Sequence, residues 1–341
     1  MDGLRDVSPA PGSGVTGVSP TQGAVGEASG ALATADAPAP GGDPMTDLGL
    51  VALTLIWGSN FAVVKWALDV LSPLALNALR FPLACLVIWL VVRATGPLPR
   101  IRKRDLPALL GLGFLGNAAY QLLFIYGLDG TRAGNAALLM ATVPVWALLL
   151  AAVTREGTLD RTVWVGVLLT VAGVGLMVVG GGGGVGIEGV SLRGDLLMLL
   201  AAMSWAAYTV GSRPLSLRYG SLPVIAWTLW SGSAVLVLLG LPSLADARLT
   251  ALGPGPWVAV VFSGVFSLGV AYLLWYRGVI RLGSARTSAY ANLVPVVALV
   301  VAWYWLGEIP TAIQLAGAGV ILSGILMARW GGRWLSGKGA S

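Results

Sequence analysis

Hydrophobic and polar positions along this chain follow one rhythm: long apolar runs separated by short polar breaks. A hydrocarbon core of about 30 Å takes roughly 20 helical residues to cross. Ten runs come near that length, at residues 48–68, 73–92, 106–127, 133–153, 162–180, 194–212, 221–241, 256–277, 284–305 and 311–329. Most breaks are a few residues long and many carry Pro or Gly, so successive helices are expected to be antiparallel neighbours. This pattern predicts an all-α polytopic membrane protein of ten transmembrane helices.

The pattern also repeats. Pro73 is answered by Pro223, Gly127 by Gly278, Pro144 by Pro295, Gly166 by Gly317 and Gly173 by Gly324, so the register drifts by only a few residues across two sets of five runs. Five is odd, so the second set must enter the bilayer from the opposite side. The expected organisation is two inverted five-helix repeats, residues 47–180 and 194–330, joined by a Gly-rich linker at 181–193. Residues 1–46, rich in Gly, Pro, Ala, Ser and Thr without a helical or strand period, read as a disordered tail. That tail lacks the basic, apolar and small-residue succession of a secretory signal. Met45, directly before the first run, is a candidate alternative start, and residues 331–341 read as a second tail.

Composition narrows the classes. Hydrophobic residues make up 56% of the chain and charged ones 11%, with a mean hydropathy of +0.82, too little polar surface for a soluble globule. The excess of 21 Lys and Arg over 15 Asp and Glu falls mainly between apolar runs, where it sets orientation; no nucleic-acid module accompanies it. Fifteen basic residues, with Arg100, Arg102, Lys103 and Arg104 foremost, lie on one side of the runs, against Lys65, Arg132, Arg193 and Arg248 on the other. By the positive-inside rule the first side is cytoplasmic and so are both termini, in a plasma-membrane protein. One cysteine and no histidine exclude an internal disulfide and the usual zinc or His-based catalytic sites. No cofactor or metal is expected, and an enzyme is not.

Candidate chemistry centres on Leu55–Trp66, where Trp57, Asn60, Phe61 and Val64 fall on one helical face. The positions 148 further on read Trp205, Tyr208, Thr209 and Ser212, Lys65 is answered by Arg213, and Asp47 by Asp195. A polar stripe on a spanning helix must face protein or water, so these faces are expected to line a solute pathway. Lys65 and Arg80 lie at or inside spans, where a charge costs about 2.5–3.5 kcal/mol. Either they attract an anionic group of the solute in a wet cavity, or Lys65 snorkels to the interface and Arg80 locks helix packing through neighbouring polar groups. The third run adds Asn117, Tyr120, Gln121 and Phe124 at one helical spacing, and its counterpart adds Tyr272 and Trp275. The fourth and ninth runs add Asn135, Thr142, Tyr290 and Asn292, beside Pro144 and Pro295, which are expected to kink their helices. The candidate solute-binding set is therefore Trp57, Asn60, Lys65, Arg80, Tyr120, Gln121, Trp205, Tyr208, Tyr272 and Tyr290.

Glycines at 166, 173, 175, 317, 319 and 324 mark the fifth and tenth runs as closely packed scaffold or a dimer contact, although a monomer suffices. All fifteen acids lie in the first tail or near span ends, so no dedicated proton carrier is expected and uniport or exchange is.

The run WGSNFAVVK at 57–65, ALRF at 78–81, the paired proline-bearing runs TVPVWALLLA and NLVPVVALVVA, and LGE at 306–308 before a Gly-rich last span resemble the EamA family of the drug/metabolite transporter superfamily. The likeness covers residues 48–329; one departure is REG at 155–157, where the second half has LGE. The resemblance implies a central cavity between the halves and, often, export of amino acids or other small metabolites. Secondary transport of a small polar or amphipathic solute is thus the expected function. A channel or structural membrane subunit is the alternative, and an intramembrane enzyme would need paired acids at bilayer depth or a histidine.

Overall fold

The computed structural model describes residues 44–154, 161–180, 190–247 and 249–337, all helices and short connections. The expected tail up to residue 43, the REG stretch at 155–157, most of the linker and the chain end after 337 lie outside the described residues. Among the described residues, seven helices are long and apolar enough to cross a membrane, and three further apolar helices are shorter.

In chain order, α1 is Pro44–Leu68 and α2 is Pro73–Thr95. Ser72 caps α2 by accepting the Ala75 N–H, with Pro73 in the first turn where its missing donor costs nothing. α3 runs from Lys103 to Asp129 and α4 consists of Ala133–Met140 and Val143–Thr154. α5 is Arg161–Gly180, α6 is Val190–Tyr219 and α7 is Ser221–Asp246. α8 is built from Pro254–Val261, Phe262–Val270 and Ala271–Ala291; α9 is Val294–Leu306 and α10 is Ala312–Gly337.

The helices pair as two interleaved halves. α1 packs on α9 and α8, and α6 packs in the same way on α4 and α3. α2 lies against the middle of α8 as α7 lies against the middle of α3, while α2–α7 and α5–α10 pair across the pseudo-two-fold axis. Exchange of the halves therefore maps this network onto itself, as inverted repeats require.

Three local features depart from plain rods. First, α4 and α9 are not kinked at their prolines but interrupted: turns at Ala141–Thr142 and Asn292–Leu293 end one segment, and the next starts with Pro144 or Pro295 as its second residue. Second, α6 continues to Tyr219, past the expected end at 212. Third, the backbone stays helical from Ala271 to Ala291, where a break between spans is expected, yet it reverses. A Cβ on Gly278 would lie 3.0 Å from the Thr287 hydroxyl, whereas a straight helix separates residues nine apart by roughly 13 Å. The outward surface is rich in exposed apolar side chains, and Trp303, Tyr304 and Trp305 are exposed aromatics at the end of α9.

Candidate functional site

The middles of α3 and α8 are π-helical, at Phe114–Ala119 and Phe262–Val270, equivalent places in the two halves. A π-helical turn leaves an ordinary helical hydrogen bond unmade, and such turns concentrate where function needs a displaced side chain. In both halves a residue from the other half's first helix meets the bulge. Ser204 of α6 donates to the Leu115 carbonyl at 2.9 Å, and the Trp57 indole of α1 donates to the Ser267 carbonyl at 3.0 Å.

Directly after the bulges stand Tyr120 and Tyr272, and around them the aromatic side chains close into one cluster. Tyr272 sits edge-on to Trp57 at 6.0 Å and to Trp205 at 6.1 Å, so a single ring joins the equivalent tryptophans of the two halves. Trp205 also meets Tyr120 at 4.9 Å and Tyr208 at 5.1 Å, and Trp275 tilts against Trp57. Tyr208 reaches this place because Gly116 has no side chain: a Cβ there would lie 2.3 Å from its ring. Its hydroxyl pairs with Thr228.

Beside the aromatic cluster lies a polar one. Arg80, 1% exposed, donates from Nε to the Asn77 amide oxygen at 3.0 Å and from Nη2 to the Gln121 amide oxygen at 2.6 Å. Phe81 and Phe124 flank the guanidinium, and Phe124 in turn meets Tyr120 and Phe61. Asn60 adjoins Phe61 on α1; it is 7% exposed and its amide oxygen has no hydrogen-bond partner among the described residues.

Of the expected site residues, the structure brings eight into this neighbourhood: Trp57, Asn60, Arg80, Tyr120, Gln121, Trp205, Tyr208 and Tyr272. Lys65 lies outside it, and Tyr290 stands at its edge, packed on the same apolar cluster of Leu50, Leu53 and Ala271 as Trp57 and Trp275. The Lys65 ammonium donates to the carbonyls of Leu128 and Asp129, where it meets the unsatisfied, negative end of α3. Tyr290 donates to Asp47 near the start of α1, and its carbonyl accepts the Thr54 hydroxyl.

The face opposite the basic loops is sealed by contacts between halves. Gly307 (φ +67°) ends α9, and its turn directs Glu308 onto the first turn of α4, where the carboxylate accepts the Ala133 and Gly134 N–H groups at 2.9 and 3.2 Å. Thr131 donates to Asp195, and Gly194 packs so tightly on Gly130 that a Cβ would lie 2.3 Å from its carbonyl carbon. On the basic face, Arg218 and Tyr219 of α6 both hold Asp105 of α3. Gln314 reaches Asn135 beside the seal, in a small recess that Glu308 also lines.

Asn77 and Glu308 were not anticipated as partners. Asn77 stands three residues before Arg80, a spacing that places both on one helix face, so its role was readable in principle. The capping role of Glu308 joins residues 175 apart, which no local pattern reveals. Among the described residues, no group of three or more His, Cys, Asp or Glu is placed to hold a metal ion.

Comparison with known proteins gives concordant matches. The EamA-like transporter family model matches twice, at residues 44–179 and 192–330. A protein of Streptantibioticus cattleyicolor described as a probable terminal-alkyne amino-acid exporter is 32% identical over 283 residues, covering 82% of this chain and 91% of that protein. A probable amino-acid metabolite efflux pump of Escherichia coli is 28% identical over 298 residues, covering 84% of this chain and 96% of its own. One crystal structure at 23% identity shares the fold with a TM-score of 0.60, over 86% of this chain and 99% of that one.

Proposed function

This chain belongs to the EamA-like transporter family, and on that premise we propose that it exports a small amphipathic metabolite of the amino-acid kind, by alternating access, through the cluster between its halves. The observation that carries this reading is the position of Tyr272 between Trp57 and Trp205. Rings with polar tips, brought from both halves to one place, suit a solute with an apolar body and hydrogen-bonding ends. They also sit where relative movement of the halves would open them first to one face and then to the other.

In this reading the basic loops face the cytoplasm of a plasma-membrane protein, and the seal around Glu308 closes the outer face. A monomer holds the whole pathway, since both sets of helices come from one chain. The acids among the described residues stand near helix ends, outside the aromatic cluster, which favours uniport or exchange over a proton-driven cycle.

The test is transport in proteoliposomes. A panel of labelled amino acids and related metabolites should yield saturable flux that Tyr272→Ala reduces at least about tenfold, as loss of a central aromatic contact does at hot spots. Flux that does not saturate, or that Tyr272→Ala leaves intact for every compound, contradicts the assignment.

A further inference from the structure

We propose that Arg80 binds the carboxylate of the transported molecule, which supplies a counter-charge that none of the described residues does. This rests on the transport reading above and narrows it to small amphipathic carboxylates, α-amino acids among them.

The argument begins with an imbalance. The Arg80 side chain is buried, and both groups it is bonded to, the amides of Asn77 and Gln121, are neutral. The ion pairs among the described residues are both at Asp105, on the basic face, so no carboxylate answers Arg80. A buried guanidinium that serves packing alone is ordinarily paired, because an isolated buried charge is among the costliest groups a protein can hold. Here two amides position the group without neutralising it. Of its five N–H donors, the described bonds use one on Nε and one on Nη2, which leaves the Nη1 pair with no described protein acceptor. A carboxylate is the ligand whose shape and charge match such a fork.

The neighbours extend the description of that ligand. Phe124 lies 6.0 Å from the guanidinium and touches Tyr120, which touches Trp205, so an apolar body attached to the carboxylate would run along rings into the aromatic cluster. Asn60, three residues after Trp57 on the same face of α1, carries a buried amide oxygen with no partner among the described residues. That oxygen is an acceptor without a donor, which an ammonium on the same ligand would provide.

A consequence for the transport cycle follows. Closing the halves over an empty site buries an unpaired guanidinium, whereas closing over a simple carboxylate buries a neutral pair and closing over an α-amino acid pairs the guanidinium and gives the Asn60 oxygen a donor. The loaded carrier therefore changes face faster than the empty one, and export is accelerated by the same carboxylate on the far side.

The experiment uses purified full-length protein and a series of carboxylates with apolar bodies of increasing size, each paired with its carboxamide; L-phenylalanine with phenylalaninamide and 3-phenylpropionate with 3-phenylpropionamide form one such set. Carboxylates are expected to bind at least about tenfold more tightly than their amides, the effect of one charge-assisted contact. Gln121→Glu gives Arg80 an internal carboxylate at nearly unchanged shape, so it should keep the fold while losing that preference and the acceleration from the far side. Arg80→Gln should do the same if it folds. Amides that bind as well as acids across the series, or Gln121→Glu protein that keeps the wild-type preference, overturn the proposal. If flux still saturates and still needs Tyr272 in that case, the transport reading stands and only the carboxylate assignment falls; if no saturable flux is found, both fall.

Discussion

The Trp57 indole nitrogen lies 3.0 Å from the Ser267 carbonyl oxygen, a bond from the first helix of one half to the π-helical bulge of the other. Its counterpart runs from Ser204 to Leu115. The two bonds cross between the halves and meet the bulges beside Tyr120 and Tyr272, where they are expected to support them. Replacing Trp57 by Phe keeps a ring and removes the donor, at a net cost of about 0.5–1.5 kcal/mol for the lost hydrogen bond. The expected outcome of Trp57→Phe, and of Ser204→Ala, is a lowered maximal transport rate with a smaller change in apparent affinity, read from initial rates in proteoliposomes. An unchanged rate would mean that the bulges hold themselves.

Lys65 is tied to the end of α3 rather than to the aromatic cluster. Lys65→Met should therefore lower thermal stability in detergent, by about 1 kcal/mol for the lost charge-assisted contacts, and leave apparent substrate affinity near wild type. A large rise in apparent KM with unchanged stability would return Lys65 to the binding site.

Glu308 acts as a cap supplied from the other half of the chain. Glu308→Ala removes the acceptor of two N–H groups at the start of α4, worth roughly 1 kcal/mol. It should also loosen the face that the cap helps seal. Stability measured by thermal unfolding, and thiol labelling of Asn135→Cys in a Cys85→Ser background, should fall and rise respectively. Stability that falls with no change in labelling would make the cap structural only.

The glycines of α5 and α10 separate into two kinds. A Cβ on Gly173 would lie 2.7 Å from the Ile321 nitrogen and one on Gly324 2.5 Å from the Thr170 hydroxyl, whereas Gly175 and Gly319 face open space. Gly173→Ala and Gly324→Ala should each destabilise by about 1–3 kcal/mol, as overpacking does. Gly175→Ala and Gly319→Ala should be neutral or gain roughly 0.5–1 kcal/mol from helix propensity. Equal effects at all four positions would contradict the observed pairing of α5 with α10.

How much of this was legible beforehand follows from which interactions are periodic. Apolar runs and the matched Pro and Gly positions carry the ten helices and the inverted repeat, because bilayer thickness and helical rise dictate both. The stripe holding Trp57 and Asn60, and its echo at Trp205 and Tyr208, likewise follows from a 3.6-residue period. The π-helical bulges do not: both open on a Phe-X-Gly step, at Phe114 and Phe262, but a 3.6-residue period does not show where a helix takes in an extra residue. Tyr290 illustrates the limit in the other direction. Its ring packs on the same apolar cluster as Trp57, but its hydroxyl reaches Asp47, a partner 243 residues away that no local pattern reveals.

The central claim is that two inverted halves expose one buried site to alternate faces. It is tested most directly by labelling single cysteines at Thr46 and Asn135, both buried here and set at opposite faces, with an impermeant thiol reagent in the Cys85→Ser background. Alternating access predicts reciprocal change: any ligand or condition that raises labelling of Asn135→Cys lowers that of Thr46→Cys. Labelling of both positions that rises and falls together would describe a continuous pore and contradict the account.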